Sequence, residues 1–503
     1  MSKRIIAVVL SVLLSLSGCY VRKVQKIPFA SVPQPEKEHV VGVTTNTGED
    51  IAFDPPGGSI RNGGVSGSVK KASFDIPVDQ VQRIWVERKQ LSTGRTLGLV
   101  AVVTVGAVAI VAGVVAATKQ SCPFVYSWNG KEYVFDAEPY GGAITRGLEK
   151  DDYSELGMLQ DQNGLYKLKL TNEVDETQFT NMMELWVVDH PKGTRVVPDI
   201  EGKLHTVEAP SAPLSARDSE GRDLLPWLRA TDRLIWEPPS VPDAKGNLAG
   251  DIVMTFPKPK NAKQVKLIAN AATGLWGSYM IKKMVELHGR ETEAFLKTID
   301  DDKSARDALF AWEVKEELYA LKIYVEEPTG WVMRGILPGT GPFISKDRIV
   351  PLDVSHVPGD QLKIRIHPPA GFWALNSFNM DYSADRQIAV ETVKPSSAVD
   401  MKGKDVLPDL ISVDDRYVEM PDVGDTADLT FRAPANRAGL DRQVILHTRG
   451  FYKLHFSATG DPDSKTLDAL NNVHGAGTQF AAAQFAQWQK AKLQSQRADH
   501  STK

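Results

Sequence analysis

The chain has 503 residues, 42% of them hydrophobic and 24% charged, with a formal net charge of −4 and a pI near 6.2. That length holds material for about three domains with real cores, and the composition excludes a disordered or fibrous chain. No overall basic field exists to attract nucleic acid. Two cysteines, Cys19 and Cys122, build neither a disulfide framework nor a cysteine-rich zinc site.

Residues 1–18 follow the plan of a secretory signal. Lys3 and Arg4 give a positive start, and Ile5 to Leu16 is an apolar run too short for a stable span. The run ends in Leu16-Ser17-Gly18-Cys19, which resembles the lipobox of bacterial lipoproteins. The resemblance implies cleavage before Cys19, lipid on its thiol and acylation of the new amino group. Several acyl chains exceed the two signals that stable anchoring needs. Cys19 is therefore the expected lipid-attachment residue. Tyr20 rather than Asp follows it, which under the enterobacterial sorting rule favours the outer membrane.

Residues 19–38, with Pro28, Pro33 and Pro35 among mixed charges, read as an extended lipidated tether. Short β-runs fill 39–96: Val40–Val43, Ile51–Phe53, Val65–Val69 and Ile84–Val86, separated by Pro55-Pro56-Gly57-Gly58 and Asn62-Gly63-Gly64. They suggest a small SH3-like or Sm-like barrel. Residues 20–95 carry a net charge of +3, whereas 119–503 carry −9.

Leu97 to Thr118 is a second membrane signal, 22 residues of Val, Ala, Gly, Leu, Thr and Ile without a charge. As a helix it would measure about 33 Å, enough for a ~30 Å hydrocarbon core. Ala109, Gly113 and Ala117 form a small-xxx-small ladder. The competing reading is a Val-rich core hairpin. The two membrane signals pull apart: an exported Cys19 followed by an inner-membrane span would leave the body inside. Yet Arg83, Arg88, Lys89 and Arg95 precede the segment and only Lys119 follows closely, the reverse of the positive-inside bias. Both the export signal and this bias favour an envelope location for the body, on the periplasmic or outer-membrane side.

The body opens with Phe124–Trp128, Asn129-Gly130 and Lys131–Phe135. Asn-Gly between alternating aromatic runs predicts a two-residue type I′ hairpin, pairing Trp128 with Lys131, Tyr126 with Tyr133 and Phe124 with Phe135. The shared aromatic face reads as core rather than as a ligand platform. Further short strands predict an antiparallel β-sandwich over 119–270 and a second over 319–458. Between them Trp276, Met280, Met284 and Leu287 mark one stripe of a helix, opening a helical insertion over 271–318. Phe480, Phe485 and Trp488 lie in an Ala/Gln-rich helical tail, 459–503. The expected fold class is mainly β with an α insertion.

Cys122-Pro-Phe-Val-Tyr-Ser-Trp-Asn-Gly, Phe135-Asp-Ala-Glu-Pro-Tyr-Gly-Gly-Ala143, Glu184–His190 and Arg449–His455 resemble segments of uncharacterised bacterial envelope proteins built of β-rich modules. The resemblance implies no activity and transfers no catalytic residue.

Chemistry is sparse. The ten histidines show no metal-ligand spacing, and His447 and His455 appear without a nearby carboxylate pattern. Asp300-Asp301-Asp302 reads as a helix cap rather than a cation site. Asp461 to Asp468 lacks the Gly and distal Glu of a calcium loop. No nucleophile elbow, phosphate loop or dinucleotide fingerprint occurs. Trp186 and Trp373 lie in strand patterns and are expected in the core. No catalytic, cofactor or metal residue is nominated. The expected function is a membrane-anchored envelope lipoprotein with a non-catalytic interaction or scaffolding role. It is held to membrane lipid through Cys19 and 97–118, with an envelope protein or glycan as partner. The alternative is an envelope carbohydrate-binding or carbohydrate-active protein, whose two carboxylates need no local motif.

Overall fold

The computed structural model describes residues 20–28, 40–91 and 123–501, apart from 48, 55–56, 62, 233, 239–247 and 458. Cys19, Cys122 and the apolar segment 97–118 lie outside the described residues. Among the described residues no helix is long and apolar enough to cross a membrane. The chain divides into two compact units, within 1–112 and within 113–503.

The small unit contains β1 (Tyr20–Pro28), β2 (Val40–Thr45), β3 (Asp50–Ala52), β4 (Ser59–Arg61), β5 (Gly64–Val69), β6 (Ala72–Pro77) and β7 (Val81–Leu91). They form two antiparallel sheets, β1-β7-β2-β3 (sheet I) and β4-β5-β6 (sheet II), and no closed barrel among the described residues. Val40, Val43, Ile84 and Val86 of one sheet and Ile60, Val65 and Ile76 of the other share a core with Phe53. A Cβ at Gly58 or Gly67 would stand 2.7 Å from the Phe53 ring, so only glycine lets these backbones close over it. The first half of the expected tether is different in kind. Tyr20–Pro28 is a strand, paired residue for residue with Arg83–Leu91. Tyr20, Val21, Val24 and Ile27 supply β-formers, but their spacing does not alternate, which hides the strand from a period-2 reading.

The body begins with β8 (Phe124–Trp128), β9 (Tyr133–Ala137), β10 (Lys150–Glu155), β11 (Leu165–Thr171) and the long β12 (Glu176–Pro191). A hairpin of β13 (Arg195–Pro198) and β14 (Leu204–Val207) follows, then β15 (Ser215–Asp218), β16 (Ile252–Pro257) and β17 (Gln264–Thr273). Three helices come next: α1 (Leu275–Glu286), α2 (Thr292–Asp301) and α3 (Lys303–Glu316). Strands resume as β18 (Ala320–Glu327), β19 (Gly330–Pro338), β20 (Lys346–Asp353), β21 (Gln361–Ile366) and β22 (Trp373–Asp381). The last strands are β23 (Ala389–Val393), β24 (Pro395–Asp400), β25 (Val418–Met420), β26 (Thr426–Arg432) and β27 (Leu440–Leu454). Helices α4 (Ser464–Asn472) and α5 (Ala476–Ser501) close the chain.

The protein is thus mainly β, with several antiparallel sheets and a few helices. Strand grouping does not follow the boundary expected near 270–319. Sheet III, β24-β26-β11-β8-β9, and sheet IV, β10-β27-β12-β23, both mix strands from before 192 with strands from after 388. Their inward residues, including Leu168, Leu170, Met183, Leu185, Leu429 and Leu446, form one core. Sheets V (β15-β16-β21-β18-β19) and VI (β20-β17-β22) lie wholly between 215 and 381. A Cβ at Gly335 of β19 would meet Val350 and Leu352 of β20, so these two sheets pack closely there. The reason is register. β12 pairs with β27 along nearly its whole length, matching apolar positions across some 260 residues of chain that local patterning cannot connect.

The helical expectations hold. Trp276 and Met280 are buried, and the Trp276 indole donates to the Ala481 carbonyl of α5 at 3.1 Å. Phe485 and Trp488 pack on the same indole, with ring centroids 5.0 and 6.3 Å away. Buried Glu316 accepts the Gly475 N–H at 2.7 Å, placing a carboxylate at the positive end of α5.

Candidate functional site

The aromatic opener folds as a hairpin with a different register. Trp128 faces Tyr133 and Tyr126 faces Phe135, leaving the four-residue loop 129–132. A type I′ turn needs positive φ at both central residues, and only Gly130 (φ 90°) supplies it. Asn129 instead closes the loop with its side chain, accepting the N–H groups of Lys131 and Glu132 at 3.0 and 2.9 Å.

The register decides which face the rings occupy. Val125 and Ala137 enter the core shared by sheets III and IV, while Tyr126, Trp128, Tyr133 and Phe135 are half-buried and outside that cluster. The expectation of an aromatic core holds for Phe124, which is buried, but not for the other four rings, which are half-buried on the face of sheet III away from that core. The rings pair across the hairpin, with centroids of Trp128–Tyr133 at 5.2 Å, Tyr126–Phe135 at 5.6 Å and Phe124–Phe135 at 5.1 Å. Phe124 also packs on Phe343.

On the next strand, β11, Leu168 and Leu170 point into the core and Lys167 and Lys169 into the aromatic face. The Lys167 ammonium lies 5.9 Å from the Trp128 ring and that of Lys169 5.3 Å from Tyr133. Asp428 of β26 holds Lys169 at 2.5 Å. Tyr126 donates to Glu173, and burial followed by that carboxylate pushes its hydroxyl well above the usual phenol range. The result is a flat face of rings edged by cations, suited to apolar and π contact with charge-assisted hydrogen bonds at its margin.

A second cluster sits on the other face of sheet IV, where Val188 and Ile445 pack with Val196 of β13. His447 of β27 lies between Tyr153 of β10 and Glu184 of β12. Its ring stacks on Tyr153 at 4.7 Å and leans on Trp186 at 4.8 Å. Nδ1 meets Glu184 and Nε2 meets Asp151, each at 2.9 Å. Burial alone would lower its pKa, but the two carboxylates reverse this and raise it to about 9. His447 hydrogen bonds hold both Asp151 and Glu184 below the usual carboxylate range. Arg449 closes the set by donating to Asp151 at 2.8 Å. Both ring nitrogens are engaged at neutral pH, so the imidazolium serves as a structural cation rather than a proton carrier. The carboxylates that the local sequence does not show arrive through strand pairing. Trp186, expected in the core, is half-buried: it packs against the small buried cluster of Val188, Val196 and Ile445 and donates to Glu184 at 2.9 Å.

The sign of the pH effect follows. A histidine whose folded pKa is raised stabilises fully below its unfolded value, near 6.5, and loses that contribution as pH rises through about 9. The emission of Trp186, beside the imidazolium, is expected to titrate with a midpoint near 9 in the wild type, together with a fall in melting temperature. His447→Gln is expected to remove both transitions. A flat wild-type profile between neutral pH and 10 would contradict the paired geometry.

The remaining sequence candidates have structural partners. Asp302 caps α3 through the Ser304 N–H at 2.8 Å, and Asp301 pairs with Lys297 at 2.5 Å. Asp300 accepts from Thr145 and the Gly147 N–H at 2.7 and 2.6 Å. Asp463 caps α4 and Asp461 pairs with Arg290. Among the described residues no His, Cys, Asp and Glu cluster could hold a metal ion. Trp373 is buried as expected. Glu138 and Glu176 interact electrostatically, but both are fully buried, and the Phe343 N–H occupies Glu138 at 2.9 Å. Burial and, to a lesser degree, Glu138 push Glu176 up to about 8.

No protein-family model and no curated protein matches the chain. Among solved structures it is similar to a β-porphyranase of glycoside hydrolase family 86 from the human gut bacterium Bacteroides plebeius. That similarity has 7% identity and a TM-score of 0.16, covering 52% of this chain and 39% of that one. So weak a likeness carries no argument about activity.

Proposed function

We propose that this chain is a membrane-anchored envelope lipoprotein that binds an envelope partner without catalysing a reaction. Lipid on Cys19 and the apolar segment 97–118 hold it to the membrane, and the body, with its two-layered sandwich-like sheet pairs, serves as the binding scaffold. The observation that carries this reading is the outer face of sheet III, where Trp128 and Tyr133 lie half-exposed beside Lys167 and Lys169. Aromatic residues ringed by polar groups dominate binding energy at interfaces, whereas a catalytic centre needs groups free to exchange protons. His447, flanked by two carboxylates on a sheet face, has both ring nitrogens committed.

The test places a benzophenone side chain at exposed Lys131, beside the aromatic pairs. In intact cells it is expected to crosslink to a discrete envelope protein. Replacing Trp128 and Tyr133 together by alanine should remove the adduct, with about 2 kcal/mol or roughly 30-fold lost in affinity for the purified partner. An adduct indifferent to that double substitution would contradict the proposal. The same half-exposed rings favour a second reading, glycan binding. It predicts that purified cell-wall glycan sediments the wild-type chain but not the W128A/Y133A variant, with no protein adduct.

A further inference from the structure

The body repeats itself. Ser215-Ala-Arg-Asp-Ser-Glu-Gly-Arg-Asp-Leu-Leu-Pro226 and Ser397-Ala-Val-Asp-Met-Lys-Gly-Lys-Asp-Val-Leu-Pro408 agree at Ser, Ala, both Asp, Gly, the second Leu and Pro, without a gap. They also build the same turn. Asp218 Oδ1 accepts the N–H groups of Glu220 and Arg222 at 3.0 and 2.9 Å, and Asp400 Oδ1 those of Lys402 and Lys404 at 2.8 and 2.9 Å. Gly221 and Gly403 complete it with φ 79° and 81°.

Around this turn the two five-stranded sheets of the body match strand for strand. Sheet V pairs Ala216 with Met254, Met254 with Ile364 and Ile364 with Val325. Sheet III pairs Ala398 with Leu429, Leu429 with Leu168 and Leu168 with Ser127. Each hairpin carries its bulge at the same place, just before Tyr324 in one and Tyr126 in the other. The stretches 124–273 and 320–454 are thus two copies of one strand pattern, with strands exchanged between them. Each copy gives its hairpin and middle strand to one sheet and two strands to the other.

The equivalence extends to the face proposed for binding. Val325 and Ile364 are fully buried, so their neighbours Tyr324 and Arg365 lie on the opposite face of sheet V. There Tyr324 and Arg365 take the places of Tyr126 and Lys169, and Trp331 that of Tyr133. Lys363 takes the place of Lys167. A cation lies over a ring in both: Arg365 is 4.9 Å from Trp331, as Lys169 is 5.3 Å from Tyr133. Glu326 stands where sheet III has Trp128, and pairs with Lys363 at 2.8 Å. Met333, on the same face, is 47% exposed, so a partner can reach it.

We propose that the Trp331/Arg365 face of sheet V is a second binding face, and that the two faces take two copies of one acidic protein segment. The inference rests on the reading of sheet III as a partner-binding face. Both cation positions keep their sign between the copies, Lys167 and Lys169 against Lys363 and Arg365, although residues 119–503 carry a net charge of −9. Carboxylates of a partner complement these cations, and its apolar side chains complement the rings. Lys363–Glu326 and Arg365–Asp251 are partly exposed pairs, which exchange for such carboxylates at little cost.

The test moves the benzophenone side chain from Lys131 to Met333 of the full chain in intact cells. The Met333 adduct is expected to hold the same protein as the Lys131 adduct, through the same acidic peptide by mass spectrometry. Trp331→Ala and the milder Arg365→Gln should each lower the Met333 adduct at least about tenfold. The Lys131 adduct should persist in both variants, which reports that the body is folded. A Lys131 adduct with no Met333 adduct, or with a different protein at Met333, would overturn the second face and leave the first intact. A shared peptide without excess acid, or a Met333 adduct indifferent to both substitutions, would overturn the inference as well. Absence of a protein adduct at either position, with cell-wall glycan sedimenting the chain, would overturn the protein-partner reading and this inference with it.

Discussion

Asp152→Ala is expected to lower the stability of the body by about 3–5 kcal/mol, the cost of leaving a buried charge without its partner. Asp152 Oδ1 meets Lys346 Nζ at 2.7 Å and Ser154 Oγ at 2.9 Å, with Arg348 at 3.9 Å, all in the interior. Burial pushes the Asp152 pKa up, but the charges of Lys346 and Arg348 hold it below the usual carboxylate value. Burial likewise lowers the pKa of Lys346, which Asp152 opposes. Removing the carboxylate takes from buried Lys346 its largest counter-charge and leaves buried Arg348 only Asp347 as an acidic neighbour. The double variant Asp152→Ala/Lys346→Met is expected to recover most of the loss, because an apolar pair avoids the desolvation that the ions incur. Lys169→Met breaks the exposed pair with Asp428 and should cost at most about 1 kcal/mol. Urea midpoints read by far-UV dichroism separate these cases. Equal midpoints for Asp152→Ala and the wild type would mean that this ion pair is solvated.

Trp373→Ala carries the second large effect, about 3–5 kcal/mol for emptying a full indole from the core. Trp373 is 1% exposed and opens β22 opposite Thr273 of β17. Its Nε1 donates to the Glu317 carbonyl at 2.8 Å, and Glu317 ends α3 in a left-handed conformation with φ 57°. The side chain therefore both fills the core and ties the end of the helical insertion to sheet VI. Alanine leaves a cavity and a carbonyl without its donor, whereas Trp373→Phe keeps much of the volume and should lose only about 1–3 kcal/mol. Hydrogen exchange is expected to speed up at the α3 C-terminus and along β22 in Trp373→Ala. The ladders of the small unit should be unchanged. Loosening confined to the β22 edge would refute the link to α3.

Local signals in the sequence were legible where packing agreed with them. The short strands expected over 119–270 include β11, where Leu168 and Leu170 face inward. The Trp276/Met280 stripe, the Asp302 cap and the helical tail also follow from near neighbours. What depended on distant pairing was not legible. Alternation places Tyr126, Trp128, Tyr133 and Phe135 together but cannot say which face meets the second sheet, and here the smaller Val125 and Ala137 take the inside. The carboxylates around His447 come from strands some 260 to 300 residues away, so no spacing motif could announce them. Hidden pairing also explains the misread tether, since β1 acquires its partner only at Arg83–Leu91. The candidate surface was thus visible as residues and invisible as a surface.

The claim that unites these parts is an exported, membrane-anchored body whose sheet faces meet the envelope. The most direct measurement treats spheroplasts with an impermeant amine reagent and reads body lysines by mass spectrometry. Lys131, Lys192 and Lys402 are exposed, so folding does not shield them. They are expected to label with the inner membrane closed, while lysines of a cytoplasmic control protein do not. Labelling of these three residues only after the membrane is opened would place the body inside and contradict the account.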